Sequence, residues 1–143
     1  MLEKAGARGV LGVGNKASAR IPELSSERRR VDPKGILAAD VVMVPLEDGD
    51  RTEALVKMGK KVVAIDLNPL SRTAQKATIT IVDNIVRAAP RLVKTAQNLR
   101  KQGGGKCREI LRKFDNEKNL VESINVMNKN LLEFAGKSAR AHK

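Results

Sequence analysis

Three short apolar runs in this chain each end abruptly on polar side chains capable of chemistry. Val41–Leu46 runs into Glu47-Asp48-Gly49-Asp50 and then Arg51. Val62–Ile65 runs into Asp66-Leu67-Asn68, with Arg72 and Thr73 just beyond, and Thr78–Val82 runs into Asp83-Asn84. A carboxylate such as Asp66 can accept hydrogen bonds from ribose hydroxyls, and an amide such as Asn68 can read a base edge because it both donates and accepts. Arg72 and Thr73 stand where a short helix would start, a suitable place for phosphate oxygens. Glu47 and Asp48 could hold Mg²⁺ through water or receive a substrate's ammonium group, with Arg51 beside them. Each cluster also has a structural reading. The first is then a solvated turn with Asp50 capping a helix, and the second a turn stabilised by its own Asp and Asn side chains.

The elements that position these residues follow from patterning. The runs are short, rich in β-branched residues and without alternation, which predicts strands buried on both faces of a parallel sheet. In an open α/β sheet, ligands bind in the crevice beyond the carboxyl ends of the strands, so all three polar clusters fall where a ligand would sit. Asp50–Met58 is predicted as a helix, with Asp50 as N-cap, Glu53 as its capping-box partner and Gly59 as the stop. Strand, helix and strand at this spacing form a βαβ unit with a right-handed crossover. A fourth strand is predicted at Val10–Val13, and Lys16–Pro33 reads as an irregular connection broken by Pro22 and Pro33.

Beyond Asn84 the pattern is helical. Ile85, Val86, Ala89, Val93, Ala96 and Leu99 share one face, with Pro90 expected to bend or restart the helix. Gly103-Gly104-Gly105 reads as a flexible break and Ile110, Leu111 and Phe114 as a further short helix. Leu120, Ile124, Met127, Leu131 and Phe134 make a long amphipathic one, and Lys137–Lys143 reads as a frayed basic tail. The fold class is therefore α/β with a mostly parallel sheet, followed by C-terminal helices, in one domain over residues 1–136.

Other motifs carry less. Gly12-Val13-Gly14-Asn15-Lys16-Ala17 fits G-x-G-x-x-[GA], but Pro22 and the SSERRR stretch argue against the helix that the dinucleotide fingerprint needs, so a glycine turn is preferred. Arg28–Arg30 reads as a solvated charge run. His142, the only histidine, lies in the tail, which removes Ser-His and Cys-His nucleophilic devices. Cys107 reads as inert, and no His/Cys cluster exists for zinc.

The 143 residues are 31% charged and 41% hydrophobic, in globular proportion. No apolar run approaches the ~20 residues of a membrane span, and the first residues lack the apolar core of a signal peptide. With a single cysteine, this predicts a cytoplasmic protein. The formal charge is +12, of which +8 falls in residues 91–143, away from the strand ends. That charge raises the possibility of a nucleic-acid-binding module. The absence of Trp and Tyr, with only two Phe, denies it a stacking platform, and no helix-turn-helix or zinc signature appears.

The strings VPLEDGDRTEALVKMGK (Val44–Lys60), AIDLNPLSRTA (Ala64–Ala74) and ITIVDNIVRA (Ile79–Ala88) closely resemble the archaeal phosphopantothenate synthetases, also called 4-phosphopantoate–β-alanine ligases, of coenzyme A biosynthesis. Weaker echoes are IPELSSERRRV (Ile21–Val31) and KFDNEKNL (Lys113–Leu120). The resemblance implies a Rossmann-like three-layer fold and a homodimer. It implies ligation through an acyl-adenylate: ATP activates the carboxylate of 4-phosphopantoate with loss of pyrophosphate, and the amine of β-alanine then displaces AMP. It further implies that Asp66, Leu67, Asn68, Arg72, Thr73, Asn84 and Ile85 contact ATP. The family's chain carries an additional N-terminal half, and the resemblance begins near its middle. This leaves an inactive remnant of the ligase as an alternative to a working enzyme, alongside the nucleic-acid module.

Overall fold

The computed structural model describes residues 2–12, 18–22, 24, 29–102 and 104–141, excepting the side chains of 138–141. Its centre is a three-stranded parallel sheet of β3 (Val41–Val44), β4 (Lys61–Ile65) and β5 (Ile79–Ile81), in the order β3-β4-β5. Helices α1 (Gly49–Lys57) and α2 (Arg72–Lys76) make the two crossovers. The architecture is α/β with a parallel sheet, as the patterning predicts, and Rossmann-like, as the resemblance implies. Because all pairing is parallel, the carboxyl ends of the three strands share one edge.

The start of α1 differs from the expectation. Asp48, not Asp50, is the N-cap: its φ is −153° and its side chain accepts from Arg51 N. One carboxylate two residues earlier captures the orphan amide of the first turn, so Asp50 falls inside the helix. Glu53 makes no capping box and instead pairs with Lys57 at 3.4 Å. The predicted stop holds. Gly59 has φ +79° and donates to Val56 O at 2.9 Å, while Lys60 N reaches Leu55 O at 3.1 Å. These are the two crossed bonds of a Schellman ending, which needs a left-handed residue at that place.

The core lies on one face of the sheet. Val44, Val62 and Ala64 pack there with Ala54 and Leu55 of α1, and with Ile21, Leu24 and Val31 from the segment read as irregular. That segment carries a small antiparallel ladder of β1 (Ala19–Arg20) and β2 (Arg30–Val31). Two residues per strand leave no period to detect, and the apolar burial of Ile21 and Val31 holds it in place. Residues 10–12 of the predicted first strand are not extended into a sheet, and Val13 lies outside the described residues. Nor is β3 buried on both faces: Val41 and Met43 are 59% and 52% exposed. It is an edge strand whose second face no described helix covers.

The C-terminal helices are α3 (Ile85–Gln102), α4 (Gly104–Lys113) and α5 (Asn116–Ala141). Helix α3 continues through Pro90, so no restart occurs. Gly104 and Gly105 belong to α4 rather than to a break, and the backbone of 137–141 continues α5 instead of fraying. Only Ala88 of α3 is buried, leaving Val86 and Val93 exposed. On α5, Leu120 is buried, but Met127, Leu131 and Phe134 are exposed. Periodicity finds an apolar stripe, but burial requires a neighbour, and the start of α5 alone is pinned: Asn116 and Asn119 donate to Ala77 O and Thr80 O at 3.2 and 2.9 Å. No described helix is long and apolar enough to cross a membrane.

Replacing Gly59 by Ala forces a Cβ into a left-handed conformation. The expected cost is about 1–2 kcal/mol, read as a lower urea midpoint with an unchanged slope.

Candidate functional site

The edge beyond the strands is built around contact between the first turns of α1 and α2. Asp48 N donates to Thr73 Oγ1 at 3.1 Å, tying the cap of α1 to a threonine that is fully buried in α2. Arg72 closes the same contact from outside, forming an ion pair with Asp50. The fit is close: a Cβ on Gly49 would stand 2.7 Å from Arg72 Nε and 3.1 Å from Arg72 Cβ. A side chain at Gly49 would push the Arg72 stem aside, so the glycine lets that stem lie across the turn. Asp48's second carboxylate oxygen lies 3.7 Å from Arg51 Nε.

Asp66 ends β4 and is 7% exposed. Its backbone N donates to Ile81 O at 3.1 Å, joining the ends of β4 and β5. One carboxylate oxygen accepts from Asn68 N at 2.9 Å and the other from the Ser71 hydroxyl. Asn68 Oδ1 accepts from Leu70 N at 2.9 Å. Ser71 Oγ in turn accepts from Ala74 N at 3.0 Å as the N-cap of α2. A buried carboxylate thus orients the cap, and the cap orients the helix carrying Arg72. Pattern reading passed over Ser71 in this role, although a serine directly before Arg-Thr-Ala is a capping signal. Leu67 is 61% exposed between these polar groups, an apolar side chain on a polar edge.

Beyond β5, Asn84 Oδ1 accepts from Val86 N at 2.9 Å, and its carbonyl accepts from Arg87 and Ala88 N, starting α3. Ile85 is half-buried as that helix begins. Asp83, which sequence reasoning treated only as a strand end, accepts from Asn84 N at 2.7 Å and from Arg87 Nε at 2.8 Å, with Arg91 Nη1 3.8 Å away. The Asn84 amide first and Arg87 second hold its carboxyl below the ordinary carboxylate range. The i, i+4 spacing of Asp83 and Arg87 was the available signal.

The seven positions expected at a nucleotide therefore lie along one edge. Asp66 and Asn68 are joined directly and reach the helix that carries Arg72 and Thr73 through the Ser71 cap, while Asn84 and Ile85 follow the neighbouring strand at the start of α3. Glu47 is exposed, Asp48 and Asp50 belong to the α1–α2 contact, and Arg51 bonds back to Asp48 within the α1 cap. Among the described residues no three His, Cys, Asp or Glu side chains gather into a metal cage. Of the arginine run, Arg28 lies outside the described residues, Arg29 is half-buried and Arg30 lines a cavity. Residues 13–17 of the glycine motif and His142 also lie outside them, and Cys107 is half-buried in α4.

A Rossmann-like α/β domain with a polar, arginine-bearing edge at its strand ends is the class of protein that these features define. The profile of the phosphopantothenate/pantothenate synthetases matches residues 1–130, and the chain belongs to that family. It is 54% identical over 112 residues to a 4-phosphopantoate–beta-alanine ligase of Thermococcus onnurineus, covering 78% of this chain and 43% of that protein. It is 47% identical over 137 residues to the protein of that name from Methanosarcina mazei, covering 96% of this chain and 53% of the relative. The chain spans about half the length of the curated relatives it matches.

Two outcomes test the geometry. Asp48→Ala removes the α1 cap and should cost about 1 kcal/mol in chemical denaturation. Asp83's lowered pKa stabilises the fold above the ordinary aspartate range, and the contribution is lost as pH falls through the folded-state pKa. Asp83→Asn should therefore melt lower than the parent at neutral pH, with the gap closing below about pH 4.

Proposed function

We propose that this chain carries the ATP-binding part of an AMP-forming ligase that joins 4-phosphopantoate to β-alanine, a step of coenzyme A biosynthesis. The observation that carries this reading is the convergence of Asp66–Asn68, Arg72 and Thr73 on one strand-end edge in a chain of this family. In the reaction a carboxylate oxygen of 4-phosphopantoate attacks the α-phosphorus of ATP and pyrophosphate leaves. The neutral amine of β-alanine then attacks the acyl carbon, AMP departs as the leaving group, and the amine's surplus proton passes to solvent. Such chemistry depends on positioned reactants and on charge stabilisation at phosphorus more than on an acid–base residue.

Arg72 meets the phosphates. It is half-exposed and pairs at its tip with the half-exposed carboxylate of Asp50, a place a phosphate can take. Asp66 and Asn68 face the adenosine: each oxygen of Asp66 accepts one bond, and a carboxylate has further acceptor capacity for a ribose hydroxyl. Exposed Leu67 offers the base an apolar surface. Thr73 holds the α1 turn in register, and Asn84 and Ile85 bound the edge on the β5 side. Mg²⁺ would accompany ATP, shielding its phosphate charge. The residues present fit it poorly, because Asp48 and Asp50 are engaged by Arg51 and Arg72, and no step is derived through it. The exposed apolar stripe of α5 supports self-association as a homodimer, and the lack of aromatic stacking residues supports a soluble-substrate enzyme over a nucleic-acid module.

Calorimetry with ATP should show Arg72→Ala binding about tenfold or more weakly, the range for losing a charge-assisted hydrogen bond. Unchanged affinity would remove Arg72 from the site. AMP release should require both 4-phosphopantoate and β-alanine, measured with this chain alone and after adding the N-terminal half of a full-length relative. A folded chain with no ATP affinity would favour the inactive-remnant reading, and steeply salt-dependent RNA binding the nucleic-acid one.

A further inference from the structure

Arg72 is the group that the reading above sets against the phosphates, and its tip already holds an anion. It pairs there with Asp50, both side chains being about half exposed. Two consecutive residues of α1 seat the arm. Its stem lies across Gly49, where a Cβ would stand 2.7 Å from Arg72 Nε, and its head meets Asp50. Neither residue caps the helix. That role falls to Asp48, whose carboxylate accepts from Arg51 N at 3.2 Å while its backbone N reaches Thr73 Oγ1 at 3.1 Å. The joint between α1 and α2 therefore stands without the Asp50–Arg72 pair.

Such a pair is weak enough to exchange. A half-exposed carboxylate and guanidinium gain little from each other in water. A phosphate group offers more charge, and two of its oxygens match the guanidinium fork. A carboxylate from solution brings the same single charge as Asp50 and must also give up its freedom of motion, so it gains nothing by the exchange. Releasing Asp50 strands no charge. It stays in the first turn of α1, solvated and at the helix end that favours an acid. The stem of Arg72 can remain on Gly49 while its head turns, so no backbone has to move.

We propose that Asp50 is an internal stand-in for phosphate, a latch that closes Arg72 against carboxylates and other singly charged anions and that a phosphate group displaces. The contact is autoinhibitory. It lowers the affinity for every ligand that uses Arg72 and leaves untouched any ligand that does not, which gives the edge a selectivity that Arg72 alone would lack. This rests on the nucleotide reading of Arg72 given above and adds Asp50 as the residue that regulates it.

The test is calorimetry with ATP and with adenosine, at one fixed ionic strength, on the parent chain, D50N, E53Q, R72A and the D50N/R72A double variant. Asp50 is half-exposed and is not the cap, so D50N should fold, which melting curves check. D50N should bind ATP about two- to fivefold more tightly, the range set by an exposed ion pair, and adenosine as the parent does. E53Q removes a charge from the same helix, at a residue paired with Lys57, and should change ATP binding less. In the R72A background D50N should add no gain, because no guanidinium is left to release. Unchanged or weaker ATP binding in D50N overturns the latch, as does an equal gain for adenosine, from E53Q or in the R72A background. If R72A still weakens ATP, the nucleotide reading of Arg72 survives that failure. ATP binding that R72A leaves unchanged, or that is absent from the parent and D50N alike, overturns the reading and the latch together.

Discussion

The hydrogen bond from Asp48 N to the buried Thr73 hydroxyl, with Arg72 laid across Gly49 beside it, joins two helices whose first turns would otherwise be independent. Each helix starts at the end of a different strand, so without this joint the polar residues of the two loops would share an edge but not a geometry. The joint is demanding. Thr73 must sit where no water competes for its hydroxyl, Gly49 leaves room for the Arg72 stem, and Asp48 must turn its carboxylate inward to cap α1. A short helix such as α2 gains little from its own backbone bonds, so its orientation is set by this contact, by the Asp66–Ser71 cap and by Asn116 beneath it.

That arrangement separates two kinds of polar residue at the edge. Asp48, Thr73 and Ser71 spend their hydrogen-bonding capacity on the scaffold, and they place the groups that remain approachable. Arg72, Asn68 and Leu67 are exposed along the rim, and Arg30 with Arg51 stands behind the α1 turn. The polar edge and the cavity lined by Arg30 and Arg51 thus lie at the same first turn of α1.

The rest of the surface has a different character. Val41 and Met43 on the edge strand, and Met127, Leu131 and Phe134 on α5, are apolar and exposed among the described residues. Residues of this type in rows mark places where another surface packs. The relatives are about twice as long as this chain, and self-association of α5 is part of the functional reading given above.

Sequence alone determined the parallel strands, the helix stop at Gly59, the helical C-terminal third and the edge on which Asp66–Asn68, Arg72 and Thr73 lie. Each of these is written in local signals: β-branched runs, a glycine after a helix, apolar periodicity, polar residues after strands. The tertiary structure alone decided that Asp48 rather than Asp50 caps α1, that Thr73 is buried under that cap, that Ser71 is clamped by Asp66, and that Ile21 and Val31 fold a supposed linker into the core. It also decided that the stripes of α3 and α5 stay uncovered and that Arg30 meets Arg51 at one cavity. The physical reason is the same throughout. Backbone preference and periodicity act over a few residues, whereas burial, capping partners and close approach depend on which distant segment arrives alongside.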